Sequence, residues 1–181
     1  MRPCATRILA ALSAVLLTFS TSRAQDAVVS EYRLKAAFLF NFAKFVEWPP
    51  EAFSGPKSPL VIGVLGDNPF GADLEETVRN KFIGERQIEV KTIPSLSGVT
   101  NCQILFISIS EQKRLPEILE NLRGASVLTV SEAEHFTEAG GMINFVNEGS
   151  KIRFQINDET ARKAKLKVSS KLLSLAVRPE R

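Results

Sequence analysis

At 181 residues, with 44% hydrophobic and 24% charged side chains and a mean hydropathy of +0.01, the chain has the makeup of one globular domain. It is too polar for a polytopic membrane protein and too apolar for a disordered one. Its formal charge of +3 comes from 23 basic against 20 acidic residues; taking away Arg2, Arg7 and Arg23, which lie in a leader described next, leaves 20 of each and no nucleic-acid footprint.

Residues 1–24 read as an export signal. Arg2 and Arg7 form a basic start, Ile8–Phe19 a short apolar run, and Ser22-Arg23-Ala24 a small-x-small cleavage site before Gln25. Cys4 precedes the apolar run, so it is no lipid-attachment cysteine, and the released chain is expected to be soluble. The domain is expected over 25–181, with Cys102 as its only cysteine and no intramolecular disulfide.

The next stretch, SEYRLKAAFLFNFAKFVEWPP (Ser30–Pro50), holds four of the twelve phenylalanines and the only Tyr and Trp. Ser30 can cap a helix start, and Pro49-Pro50 stops it. On a helical wheel Tyr32, Phe38, Leu39, Phe42, Phe45 and Val46 share a core face, while Phe40 and Trp48 fall beside Arg33, Lys44 and Glu47. A helix apolar on two sides needs a second cover. Either the rest of the domain supplies it or Phe40, Lys44 and Trp48 meet another chain, a second copy or a partner.

Downstream, residues 53–58 form a turn and Leu60–Leu65 (LVIGVL) a strand covered on both faces. A polar helix follows over 73–80, then a half-exposed strand over 87–93. Residues 104–109 are a second buried strand, 115–122 an amphipathic helix with Pro116 in its first turn, and 127–130 a third buried strand. Residues 131–138 read as a short acidic helix carrying the only histidine, His135. Met142–Val146 and Ile152–Ile156 flank a four-residue loop, NEGS, as a β-hairpin. A last helix is expected from Asn157 or Asp158 to about Ala176. Buried strands alternating with helices predict an α/β fold: a mixed, mainly parallel sheet flanked by helices, with a C-terminal hairpin plus helix.

Open α/β sheets bind ligands beyond the carboxyl ends of their strands. Gly66, Asp67 and Asn68 follow one buried strand, and Ser108 and Ser110 end another; together they are a candidate small-molecule site, although turn and cap chemistry accounts for each singly. No dinucleotide fingerprint, P-loop or nucleophile elbow is present, and one histidine without a cysteine pair supports no metal site. The expectation is a binding protein without cofactor, not an enzyme. In VSSKLLSLA, a small polar stripe of Ser170, Lys171 and Ser174 beside the leucines suits contact with another helix. Residues 151–181 carry nine basic and three acidic side chains, a face for solvent or an acidic partner.

EYRLKAAFLFNFAKFVEWP resembles the opening helix of the YfiR-like family of bacterial periplasmic proteins. The likeness returns in PLVIGVLGDNPFG, QILFISISE, GGMINFVNEGSKIRFQIN and LKVSSKLLSLA, in order along the chain. Some members of that family carry cysteine pairs, which this chain lacks. The resemblance implies a periplasmic repressor that binds the sensor domain of an inner-membrane diguanylate cyclase and so lowers cyclic-di-GMP and biofilm formation. It also leaves open a small-molecule sensor or carrier working with a sensor kinase or an outer-membrane uptake receptor.

Overall fold

The computed structural model describes residues 19–149 and 151–178, with side chains from Glu31 onward. A long helix α1 (Phe19–Phe45) leads into the two-residue strand β1 (Val46–Glu47). Then come β2 (Leu60–Leu65), α2 (Asp73–Val78), β3 (Phe82–Ile83), β4 (Arg86–Ile93), β5 (Ile104–Ile107) and α3 (Leu115–Asn121). The chain closes with β6 (Leu128–Ser131), β7 (Ile143–Glu148), β8 (Lys151–Ile156), α4 (Asp158–Lys163), β9 (Lys167–Val168) and α5 (Ser170–Leu173).

Seven strands form one sheet in the order β3-β4-β2-β5-β6-β7-β8, and β1 pairs with β9 in a separate antiparallel ribbon. Strands β4, β2, β5, β6 and β7 run parallel, while β3 and β8 are antiparallel to their neighbours. The mixed, mainly parallel sheet expected from the sequence is therefore present, with an antiparallel strand at each edge rather than one.

Alternation along the central strands builds two cores. Leu60, Ile62, Val64, Ile104, Phe106, Leu128 and Val130 meet Leu39 and Phe42 of α1, together with residues of α2, α4 and α5. Val61, Leu65, Leu105 and Ile107 face the other way, onto Leu115, Ile118 and Leu122 of α3 and its flanks. Both faces of the sheet are covered, which is why the strands read as unbroken apolar runs.

Four local expectations are corrected. Helix α1 begins at Phe19, upstream of Ser30, and stops at Phe45 rather than at the prolines. The prolines push the residues before them into extended geometry, and Val46 and Glu47 pair with Val168 and Lys167 instead. The expected final helix is broken into α4, β9 and α5. Lys165 sits at φ 61°, and two backbone bonds, Lys165 N–H to Arg162 O and Leu166 N–H to Ala161 O, both 2.9 Å, close α4 in a Schellman arrangement. Residues 131–138 form no helix. Ser131 completes β6, His135 adopts φ 58°, and Phe136 turns fully into the core under α3. Strands β7 and β8 run on into the expected four-residue loop, Asn147 pairing with Ile152 and Glu148 with Lys151.

The expected leader lies mostly outside the described residues; of its length, 19–24 continue α1. Among the described residues no helix is long and apolar enough to cross a membrane.

Candidate functional site

The strand order reverses at β2, whose neighbours are β4 on one side and β5 on the other, and the five residues singled out as a ligand site converge at the carboxyl ends of β2 and β5. Gly66 turns the chain at φ 84°. The Asp67 N–H donates to Ser110 Oγ at 3.0 Å, and Ser108 caps the 3-10 turn Ile109–Arg114 by accepting from Ser110 N at 3.4 Å. Asn68 Oδ1 accepts from the Phe70 N–H at 3.0 Å, and its Nδ2 donates to Gly71 O at 3.3 Å. These polar groups satisfy one another. A Cβ on Gly66 would lie 2.4 Å from Ser110 Oγ, so the seryl hydroxyl fills the crevice between the two strand ends.

An open cavity lies further along the same edge, beyond β5 and β6, beneath the middle of α1. Its volume is about 440 Å³, and Tyr32, Lys35, Ile109, Glu132, Glu134 and Asn144 are among the residues that line it. Lys35 is 2% exposed although it is a lysine. Its ammonium pairs with Glu31 at 2.5 Å, one helical turn away, and with Glu132 just past β6. It also lies 4.7 Å from the centroid of the Tyr32 ring. The Tyr32 hydroxyl donates to Glu132 Oε1 at 3.0 Å.

An ammonium withdrawn from water needs such partners, because its lost hydration costs several kcal/mol, of order 3 or more. The phenol responds to the same surroundings. Burial first, and the Glu132 carboxylate second, push the Tyr32 hydroxyl well above its ordinary value, so it stays a donor. Beside this cluster Asn144, 4% exposed, has a buried Oδ1 with no hydrogen-bond partner.

Lys35, Glu132 and Asn144 escape a reading by motif, being distant in sequence. One signal was available: Lys35 stands at i, i+4, i+7 spacing with Leu39 and Phe42, a charge within the apolar stripe of α1.

The residues expected at an interface divide into two groups. Lys44 Nζ lies 5.6 Å from the Phe40 ring and 5.8 Å from the Phe45 ring, and Lys171 Nζ of α5 lies 5.3 Å from Phe45. Phe40, Lys44 and Lys171 thus surround Phe45 in one basic, aromatic patch at the end of α1. Ser170 and Ser174 are exposed on α5 beside it, with Ser174 Oγ donating to Lys171 O at 2.9 Å. Trp48 stands apart. Half-buried, it donates its indole N–H to the Gln103 carbonyl at 3.0 Å, while the Gln103 side chain bonds Val61 N and Ala52 O. His135 is exposed, its Nδ1 2.9 Å from Glu138 Oε2. Among the described residues no three His, Cys, Asp or Glu side chains are grouped to hold a metal.

The chain belongs to the YfiR/HmsC-like family (DUF4154), whose sequence profile matches residues 32–177. This is a family of periplasmic proteins that are regulatory rather than catalytic and act with membrane-associated partners. No curated protein sequence matches the chain. Among solved structures it is similar to the ABC domain in complex with L-Trp from Streptococcus pneumonia (13% identity, TM-score 0.47, covering 65% of this chain and 54% of that one). A second likeness is a conserved domain protein from Vibrio cholerae O1 biovar eltor str. N16961 (11% identity, TM-score 0.46, 64% and 53%). The chain spans about half the length of each. Similarities this distant bear on neither its fold nor its function.

Proposed function

We propose that this protein is exported to the periplasm and there represses an inner-membrane diguanylate cyclase, lowering cyclic-di-GMP. The observation that carries the proposal is family membership over residues 32–177, nearly the whole described domain. The basic aromatic patch of Phe40, Lys44, Phe45 and Lys171, flanked by Ser170 and Ser174, is the surface assigned to the cyclase's periplasmic domain. Aromatic side chains beside cations are common anchors at interfaces, and the lysines call for acidic residues on the partner. Repression then follows from binding the inactive state of the cyclase more tightly than the active one. Trp48 serves the same end of the domain by holding the residues after α1 against β5.

The test is cyclic-di-GMP measured in cells with the gene deleted, restored, and restored as the Lys44→Glu, Lys171→Glu double variant. Deletion raises the nucleotide, the natural chain returns it to its former level, and the folded double variant does not. Cyclic-di-GMP unchanged by deletion and by overproduction would overturn the proposal.

A further inference from the structure

At the other end of the sheet, by the amino ends of β6 and β7, a hollow of about 490 Å³ lies between α3 and α4. We infer that it binds a medium-chain aliphatic carboxylate, with the alkyl chain in the hollow and the carboxylate at its rim. Three observations carry this.

The first is the lining. Pro116, Leu119 and Leu122 face Met142 and Ala164, and among the described residues no aromatic side chain lines the hollow. Leu122, Met142 and Ala164 are buried, Leu119 is half-buried and Pro116 is exposed, so the apolar surface runs from the floor out to solvent. Leucine and methionine side chains adapt to a flexible chain, and hollows of this size and makeup commonly hold apolar ligands.

The second is what the floor lacks. Its one deep polar side chain, Thr129, is 2% exposed, and its Oγ1 already accepts from the Met142 N–H at 3.0 Å. A polar group placed against that floor would go unpaired, which is costly away from water. The hollow therefore favours a tail without polar atoms.

The third is charge at the rim. Arg123, just past α3, and Lys163, at the end of α4, both line the hollow, and Glu120 is the only acidic side chain that does so. Arg123 pairs with Glu120 and Lys163 with Glu159, and all four side chains are exposed. Exposed pairs of this kind contribute little, so either cation can turn to an incoming anion at small cost. Two cations against one carboxylate leave a positive surplus, and a guanidinium can donate two parallel hydrogen bonds to a carboxylate. An apolar floor beneath a basic rim fits a chain with one anionic end.

The inference does not rest on the cyclase and is tested on the folded protein alone. Isothermal titration calorimetry is run with butyrate, hexanoate and octanoate, and with octylammonium, which has the same chain and the opposite charge. Octanoate is expected to bind saturably at one site, with affinity rising about fourfold for each methylene along the series. Octylammonium should bind about tenfold or more weakly. The exposed double variant Arg123→Gln, Lys163→Gln, checked for an unchanged melting temperature, should weaken octanoate about tenfold. Leu119→Gln should flatten the dependence on chain length, and Lys151→Gln, at the far end of the sheet, should change nothing. The inference is overturned by no saturable uptake of octanoate, by affinity that does not grow with chain length, by octylammonium binding as tightly, or by a double variant that binds octanoate as the natural chain does.

Discussion

Lys35 and Tyr32 show how much one turn of helix can depend on residues a hundred positions away. The ammonium is buried against Glu132, so its removal strands a carboxylate that is itself only 12% exposed. Lys35→Met should cost about 3 kcal/mol, read as a lower midpoint in urea denaturation, and adding Glu132→Gln should recover part of the loss. A double variant no more stable than Lys35→Met alone would show that the pair is not the cause. Tyr32 is the only tyrosine, so its ionisation can be followed by tyrosinate absorbance without assignment. Folding raises its pKa, chiefly through burial and then through Glu132. The stability this contributes is complete below the unfolded tyrosine value of about 10 and is lost as pH climbs above it. The native absorbance midpoint should therefore lie well above that of the denatured chain; coincident midpoints would refute the buried-phenol geometry.

At the level of elements, the breaks in the chain matter more than the helices and strands themselves. Lys165 occupies the left-handed cap position of α4 that glycine usually takes, at a cost of about 1 kcal/mol. Lys165→Gly should raise the melting temperature by roughly 2–4 °C, with the exposed Glu51 contact at 3.5 Å little missed. A fall would mean that the cap is not left-handed. The junction after α1 depends on Trp48 in a different way. Trp48→Phe keeps the apolar body and removes the N–H given to Gln103, so it should destabilise by about 1 kcal/mol in denaturant titrations followed by circular dichroism. No change in midpoint would free Trp48 from this structural role.

The whole molecule is a sheet sealed on both faces, and Cys102 reports on that seal. Its thiol is 1% exposed in the core beneath α3, 3.4 Å from the Val99 carbonyl, and burial pushes its pKa up to about 12. Such a thiol is both hidden and protonated near neutral pH, so it is inert until the layer opens. Labelling of the folded protein by a disulfide reagent should follow global unfolding, with the same dependence on denaturant, and a reductant should leave the melting temperature unchanged. Fast labelling in native buffer would contradict the three-layer packing around β2 and β5. With Cys102 buried, a bridge between native copies through this residue has no accessible sulfur to use.

Strands β2, β5 and β6 and the hairpin β7–β8 are legible in the order of amino acids alone. Each is a short apolar or alternating run whose meaning depends only on its neighbours in the chain. That order also carries the family, through motifs spread over nearly the whole domain, and the gathering of Gly66, Asp67, Asn68, Ser108 and Ser110 at one sheet edge, since parallel strands must end on the same side. It takes the packing of the layers to put Ser110 into that crevice and to leave an open cavity beside it. The same holds for the ends of α1 and α4, where pairing of Val46 and Glu47 with β9 outweighs helix propensity. Residues 131–138 follow that rule too: placing Phe136 in the core outweighs continuing a helix. Lys35, Glu132 and Asn144 lie far apart in the chain, and no local pattern links them. Their meeting is set by the order of the strands and by where α1 crosses them, a property of the packed layers rather than of any stretch of sequence.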